Sequence, residues 1–206
     1  MSSFFLDPRR PLSTCSAANC QGCPVQDRLQ CHFGGKDLTE FLVIAFPPFI
    51  IAGIGIARVN PWLLIPWIAL VLGYFGFVEI RVMCSHCPHY AEPGTKSLQC
   101  WANYGSPKLW KYRPGPMSAG ENVVFFTGLV LIAAYPLVLL LIVTQGLLLG
   151  LFIALVVVMG AAMRTRMCSR CMNFACPLNI VDKKVRAEFF KRNPVVAEAW
   201  KEFPQR

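Results

Sequence analysis

Residues 123–143 read VVFFTGLVLIAAYPLVLLLIV, a run of 21 residues that contains no acid, no base and no histidine. At 1.5 Å per helical residue this run is about 32 Å long, close to the roughly 30 Å thickness of a hydrocarbon core. Three more uncharged runs, each of 17 residues, lie at 41–57, 62–78 and 147–163. The sequence therefore predicts an all-α membrane protein with four transmembrane helices.

The composition supports this prediction. Hydrophobic residues make up 55 % of the chain and charged residues only 15 %, which differs from the usual balance of soluble proteins. A soluble protein with four buried helices is the alternative, and the two very short connections between paired runs disfavour it. Since the first 40 residues are polar and rich in cysteine, we expect no cleaved signal peptide.

Lysine and arginine predict the orientation. Four of them precede residue 41, five lie in 81–113 and ten lie in 164–206, whereas the connections at 59–61 and 144–146 carry none. By the positive-inside rule, both termini and the middle loop are cytosolic in a multi-pass protein of the cytoplasmic (inner) membrane. The formal net charge of +9 is then mainly a topology signal. We expect contact with the lipid bilayer and no nucleic-acid partner.

The spans divide the chain into five segments. They are a cytosolic four-cysteine metal-binding segment (1–40), a first transmembrane hairpin (41–80), a cytosolic Cys-rich and interfacial loop (81–121), a second transmembrane hairpin (122–163) and a cytosolic Cys-rich segment with an amphipathic tail (164–206). The hairpins end in matching motifs, MCSHC at 83–87 and MCSRC at 167–171. They are compatible with a parallel internal repeat, and chance similarity of two short motifs is the alternative.

Two polar segments have predicted positions. Trp110 and Tyr112 lie among cations in the middle loop, which indicates either a segment at the membrane interface or a loop that docks a partner. Residues 181–200 predict one or two short amphipathic helices broken at Pro194. This tail either lies on the bilayer or closes over the cysteine sites.

The ten cysteines carry the chemistry, and none lies in a predicted span. They are Cys15, Cys20, Cys23, Cys31, Cys84, Cys87, Cys100, Cys168, Cys171 and Cys176. In a reducing cytosol stable disulfides are disfavoured, and close Cys-x2-Cys pairs more often bind metals. Two intervening residues let a tight turn point both thiolates at one ion. We therefore predict small Cys-rich cytosolic lobes in which all ten are metal ligands, and the sequence defines no catalytic residue.

The grouping of these ligands is only partly defined. The first four cysteines, which we call the amino-terminal set, suffice for a complete four-thiolate site within 17 residues. The other six, the second set, allow two arrangements. In one, Cys84, Cys87, Cys168 and Cys171 share a site and leave Cys100 and Cys176 over. In the other, each half forms a three-thiolate site, with His86 or His89 completing the first and an exogenous ligand completing the second.

Iron–sulfur clusters are favoured over zinc at these sites. Cys-Pro occurs three times, and a terminal Cys-Pro is a feature of bacterial ferredoxin runs. Ligating histidines are scarce, whereas mixed Cys/His sites are common for zinc. Covalent haem is disfavoured because Cys87 is followed by Pro88, and a thioredoxin-like dithiol because the pairs follow membrane helices. Zinc remains the alternative metal.

The predicted function is that of a membrane subunit or anchor in electron transfer, with a soluble or membrane redox protein as partner. Any enzymatic role would be that of a redox component in an oxidoreductase complex. The rival is a zinc-stapled, non-enzymatic membrane scaffold that binds a cytosolic partner. Metal transport is a third hypothesis, and it is disfavoured because the spans carry few metal-binding or charged side chains.

Overall fold

The computed structural model describes residues 9–201, which form an all-helical protein with no strand in that range. Its α-helices are α1 Gly35–Val59, α2 Leu64–Gly73, α3 Glu79–Val82, α4 Ala119–Ile142, α5 Gly146–Ala162, α6 Lys183–Arg192 and α7 Pro194–Lys201. Tighter 3₁₀ turns cover Pro61–Leu63, Cys84–His86 and Pro88–Ala91, and wider π-turns cover Tyr74–Val78 and Met163–Cys168. Residues 1–8 of the first predicted segment and 202–206 of the last lie outside the described residues.

Four helical stretches are long and apolar enough to cross a membrane, as predicted. They are Gly35–Val59, Pro61–His86, Ala119–Ile142 and Gly146–Cys168, and we call them spans 1 to 4. The chain is therefore a multi-pass membrane protein.

Each span is longer than the uncharged run that predicted it, because polar residues extend the helix. At span 3, Ser118 Oγ accepts from the Glu121 N–H (3.2 Å) and Glu121 Oε2 accepts from the Ser118 N–H (2.9 Å). This capping box fixes the start of the helix four residues before the uncharged run. At span 1, Asp37 Oδ2 accepts from the Gly34 N–H (2.7 Å), and this hydrogen bond fixes the start of that helix.

Small residues and side-chain hydrogen bonds hold the spans together. A Cβ on Gly55 of span 1 would lie 2.6 Å from Leu140 of span 3, and a Cβ on Gly128 of span 3 would overlap the ring of Tyr74 in span 2. The Tyr74 hydroxyl donates to the Phe125 carbonyl (2.7 Å). Close approach at glycine combined with such hydrogen bonds is the usual way in which membrane helices associate.

Span 4 differs from the other three because it is the least buried. It packs against span 1 and span 3, yet only 6 % of its most apolar stretch is buried within the described protein. Most of its surface is available to lipid. The short turns that join span 1 to span 2 and span 3 to span 4 lie at residues 60 and 143–145.

The three Cys-bearing segments pack into one lobe. Its core combines residues from before span 1, from after span 4 and from α6 and α7: Leu12, Val25, Leu29, Phe33, Met172, Phe174, Val185, Phe189 and Val196. A second apolar cluster, formed by Val82, Met117, Phe125 and Ala175, joins the lobe to spans 2 and 3. The lobe therefore sits where span 2 ends and span 3 begins.

The tail and the middle loop are both part of this lobe. The tail forms two helices separated at Asn193, as predicted from Pro194, and its Val185 and Val196 lie in the core against which Cys31 and Cys87 pack. Trp110 and Tyr112 of the middle loop pack against the cluster formed by Ile80, Cys84, Tyr90 and Leu98. These two aromatic residues contribute to packing in the lobe.

Candidate metal centre

All ten cysteines are free thiols, and none is fully exposed. Five of them pack against the core of the lobe: Cys15, Cys23, Cys31, Cys87 and Cys100. Cys84 belongs to the neighbouring cluster around Ile80, and Cys176 packs against the cluster around Phe125. The fold thus brings thiols from segments more than 100 residues apart in sequence into one lobe.

Two of the three Cys-x2-Cys pairs form the tight turns expected of ligand pairs. The Cys23 N–H donates to the Cys20 carbonyl (3.2 Å), and the Cys87 N–H donates to the Cys84 carbonyl (3.0 Å). Gly22, inside the first turn, has a φ of +69°, a left-handed conformation that costs glycine little. Each turn therefore holds its two cysteines close together.

The third pair is held differently. The Cys168 carbonyl accepts from the Ile180 N–H (3.2 Å), and the Gln30 N–H donates to the Arg170 carbonyl (2.7 Å). Cys171 forms a bridge pair with Gln30, which neighbours Cys31 of the amino-terminal set. The second Cys-Ser-x-Cys motif is thus attached to the segment that precedes span 1.

Cys31 is affected by the other thiols of the amino-terminal set. Burial and, to a smaller extent, the nearby Cys23, Cys20 and Cys15 together raise the pKa of Cys31 to about 12. Each additional thiolate in such a group is disfavoured by the negative charge of its neighbours and by loss of water. A bound cation would relieve both effects.

The second set shows the same behaviour. Burial raises the pKa of Cys87, and Cys100 is the neighbour that adds most. Burial also raises the pKa of Cys171 well above its ordinary value, with Cys87, Cys176 and Cys100 adding to the effect. Cys100 and Cys176, which one predicted grouping leaves over, therefore lie among the neighbours of both Cys-Ser-x-Cys motifs.

The side chains do not converge on a single point. Within residues 9–201, no three Cys, His, Asp or Glu side chains form a group that could hold a metal ion as they stand. The donors fit a thiophilic metal in their chemistry and burial, whereas ligation would require the thiols to turn toward one another. Both predicted groupings of the second set remain predictions.

Asn103 and Glu79 are site residues that sequence reasoning missed. Asn103 Nδ2 donates to Glu79 Oε2 (3.1 Å) and lies 3.3 Å from Cys84 Sγ. Their exposed fractions are only 5 % and 6 %, and in the described part of the chain no basic side chain pairs with Glu79. Glu79 is the first charged residue after the uncharged run of span 2, which is the signal that could have identified it.

The two predicted histidine ligands occupy different environments. His86 places Nδ1 3.1 Å from the Gly115 carbonyl and Nε2 3.5 Å from Glu121 Oε2, so both ring nitrogens face protein groups other than thiols. His89 packs edge-on against Phe33, with 5.2 Å between ring centroids. Burial lowers the pKa of His89 to about 3, and its Nε2 has no hydrogen-bond partner among the described residues. His89 is therefore the better candidate for a nitrogen ligand.

An ion-pair network fixes the first Cys-Ser-x-Cys motif to span 3. Arg113 Nη1 lies 2.7 Å from Glu121 Oε1, and Arg113 Nη2 donates to the Arg81 carbonyl (2.7 Å) and to Ser85 Oγ (3.0 Å). The guanidinium thus joins the end of the middle loop to both sides of Cys84. This arrangement holds the motif in place as span 2 leaves the membrane.

Two asparagines connect the second motif with the first. Asn173 Nδ2 donates to the Met83 carbonyl (3.2 Å), directly before Cys84. Asn179 Nδ2 donates to the Cys171 carbonyl (2.6 Å) and to the Asn173 carbonyl (3.0 Å). The ends of spans 2 and 4 are therefore linked through side-chain amides.

Comparison of the chain with protein-family models, with curated proteins and with solved structures gave no match.

Proposed function

We propose that this integral membrane protein holds thiolate-ligated metal centres, with iron–sulfur clusters favoured, on the cytosolic face of the cytoplasmic membrane. It would act as a membrane subunit or anchor in electron transfer. One observation carries the proposal: five of the ten free thiols pack against the core of one lobe and two more pack against its neighbouring clusters, beside four helices long and apolar enough to span a membrane. Cysteines drawn from distant segments of the chain supply the sulfur donors that a thiophilic metal requires.

The amino-terminal set would hold one centre, and the second set would hold one or two more. His89 is proposed over His86 as the additional ligand, because His86 Nε2 lies 3.5 Å from Glu121 Oε2 whereas His89 Nε2 has no such acid beside it. When bound, an iron–sulfur cluster supplies one-electron transfer at the membrane surface. The residues of the chain bury Cys84 and partly shield the other nine cysteines from water, and Asn103 offers a hydrogen bond to Cys84 Sγ, an interaction that adjusts cluster potentials.

The proposal includes the topology predicted from charge. Spans 1 and 2 and spans 3 and 4 would form two hairpins, compatible with a parallel repeat, and both termini would be cytosolic. A π-turn lies in the last part of both span 2 and span 4, ending at Val78 before the first Cys-Ser-x-Cys motif and at Cys168 within the second, which supports the repeat. The partner would be a soluble or membrane redox protein that exchanges electrons with the lobe.

Metal analysis of protein purified without oxygen tests the proposal. We expect iron and acid-labile sulfide in stoichiometric amounts, broad visible absorption and a paramagnetic signal on reduction. Stoichiometric zinc without iron would contradict the redox function.

Matched double variants test how the ligands are grouped. Cys20→Ser/Cys23→Ser should remove the centre of the amino-terminal set and leave the others, whereas Cys84→Ser/Cys87→Ser should do the reverse. Complete metal loss in both variants would contradict separate centres.

The zinc-stapled scaffold is the second candidate function. It is favoured by the size of the lobe, whose main core has only nine buried apolar residues drawn from distant segments. Small lobes of this kind are often stabilised by structural metals. In that case a zinc chelator should abolish binding of the cytosolic partner, and the protein should show no redox signal before or after chelation.

A further inference from the structure

Helix α6, Lys183–Arg192, has a strongly cationic sequence, KKVRAEFFKR, with five bases and one acid. Val185 and Phe189 are buried in the core of the lobe. A second face of the helix borders a groove of about 340 Å³ between α6 and α7, lined by Lys183, Arg186, Ala187, Phe190, Lys191 and Ala197. The α6 members of this lining follow the i, i+3, i+4, i+7, i+8 spacing of one helix face. The groove therefore combines cations with an apolar floor.

Arg186 is the central cation of the groove. Its guanidinium lies 4.3 Å from the centroid of the Trp200 ring and 5.3 Å from that of Phe190. Its Nε has no hydrogen-bond partner among the described residues, although it is buried. A guanidinium over aromatic rings is held by cation–π attraction, which uses none of its N–H groups and leaves them for a phosphate or carboxylate.

The acids around the groove do not neutralise it. Glu188 pairs with Lys191 (2.9 Å) and Glu198 pairs with Lys201 (2.6 Å). Within residues 9–201, neither Lys183 nor Arg186 forms an ion pair with an acid. Two unpaired positive charges therefore remain at the groove.

The groove also lies near the membrane boundary. Trp200, on which Arg186 stacks, packs against the cluster that contains Val82 of span 2 and Phe125 of span 3. Spans of 23 to 26 residues are about 35 to 39 Å long, so their ends extend past the roughly 30 Å hydrocarbon core into the headgroup layer. Tryptophan is also typical of that level. Arg186 is thus one aromatic ring away from residues near the end of span 2 and the start of span 3.

We propose that the groove between α6 and α7 binds the headgroup phosphate of an anionic phospholipid. Lys183 and Arg186 contact the phosphate, which accepts hydrogen bonds from the guanidinium edge. Phe190, Ala187 and Ala197 contact the glycerol and the first methylene groups, a surface that inorganic phosphate would leave uncovered. The site needs no metal, so it can exist whether or not the proposed metal centres do.

A lipid titration of the full-length protein in neutral detergent tests this site. Short-chain phosphatidylglycerol, phosphatidylcholine and inorganic phosphate are added separately, and bound molecules are counted by native mass spectrometry. We expect phosphatidylglycerol to bind at least about tenfold more tightly than either of the others. Lys183→Gln/Arg186→Gln should lose that preference, whereas Lys111→Gln/Lys184→Gln, which removes two exposed cations outside the groove, should keep it.

Three outcomes would overturn the proposal. An equal loss of phosphatidylglycerol binding in both double variants would show general charge attraction. Equal binding of the two lipids would show a site without selectivity. Phosphate binding as tight as lipid binding would show a site for free anions. If Lys183→Gln/Arg186→Gln does not fold, Lys183→Gln alone decides. Its side chain is exposed at the start of α6, and an unchanged phosphatidylglycerol affinity in this variant would contradict the assignment.

Discussion

Asn103 and Glu79 are the two residues whose substitution separates hydrogen bonding from charge at the candidate centre. Asn103→Ala removes the donor to Glu79 Oε2 and leaves a buried carboxylate unpaired. We expect it to destabilise the protein by about 1–3 kcal/mol. Glu79→Gln keeps an acceptor for Asn103 and removes the charge, so its stability should equal or exceed that of the wild type. Chemical unfolding in detergent, followed by tryptophan fluorescence, measures both variants.

Gln26→Ala, which truncates an exposed amide of the lobe, is the control and should change stability by less than about 0.5 kcal/mol. If Glu79→Gln lost as much stability as Asn103→Ala, the carboxylate charge itself would be required by the fold. An ion pair of Glu79 with Arg81 or Arg113 would not explain that result, because both arginines pair with Glu121.

At the scale of the helices, the crossing of spans 2 and 3 depends on one glycine. A methyl group on Gly128 would occupy the position of the Tyr74 ring, whose hydroxyl bonds to the Phe125 carbonyl. Gly128→Ala must therefore displace Tyr74 or separate the spans. We expect the free energy of unfolding to fall by about 1–3 kcal/mol. A lower thermal midpoint of the protein in detergent would report this loss of stability.

Gly150→Ala is the matched control, because nothing lies within 4 Å of a Cβ at this position on span 4. Its thermal midpoint should equal or slightly exceed that of the wild type, since alanine favours the helix. A Gly128→Ala protein as stable as Gly150→Ala would mean that spans 2 and 3 do not cross at Tyr74.

The sequence predicted the elements well because their signals are local. An uncharged run defines a span, and Pro194 predicts the break between α6 and α7. The helix ends were missed by several residues where polar caps continue the helix, as Ser118 and Glu121 do at span 3. Local pattern does not reveal side chains that bond across long separations. Asn173 reaches a carbonyl 90 residues away, and only the assembled lobe shows why it is there.

The candidate site was predicted less completely than the spans. Spacing identified the Cys-x2-Cys pairs, and the turns at Cys20–Cys23 and Cys84–Cys87 have the expected form. The proximity of Cys100 and Cys176 to both motifs depends on how the middle loop and the tail fold onto each other. Glu79 was not predicted because its sequence position does not show that the fold buries it beside Asn103, whose amide also lies near Cys84 Sγ.

At the scale of the whole molecule, the distribution of lysine and arginine predicts which side the lobe faces. Thr144 is exposed in the turn between spans 3 and 4, at the end of these spans away from the lobe. In intact cells a membrane-impermeant maleimide should modify a Thr144→Cys protein and leave the wild type unmodified. In inverted vesicles the native thiols should react when metal is removed. Labelling of the wild type in intact cells would place the lobe on the outer face.

Metal removal should affect the lobe and spare the spans, because different forces hold the two parts. The spans are joined by packing at Gly55 and Gly128 and by hydrogen bonds from Tyr74 and Trp67 within the apolar region. The lobe has a small apolar core and a set of cysteines that would ligate a metal as thiolates, so that metal binding would add to its stability. After chelation we expect helical circular dichroism to persist largely unchanged, while limited proteolysis cuts within 9–34 and 169–201.

Restoring the metal in the presence of reductant should restore protease resistance in the wild type. In a Cys20→Ser/Cys23→Ser protein, residues 9–34 should stay sensitive to protease after the same treatment. Serine keeps the size of the side chain but is a poor ligand for thiophilic metals, so this variant separates ligation from packing. A lobe that resists proteases equally with and without metal would show that its apolar core and its amide and ion-pair network suffice. A structural role for metal would then be excluded, because the contacts of Arg113, Asn173 and Asn179 would already account for the order of the lobe.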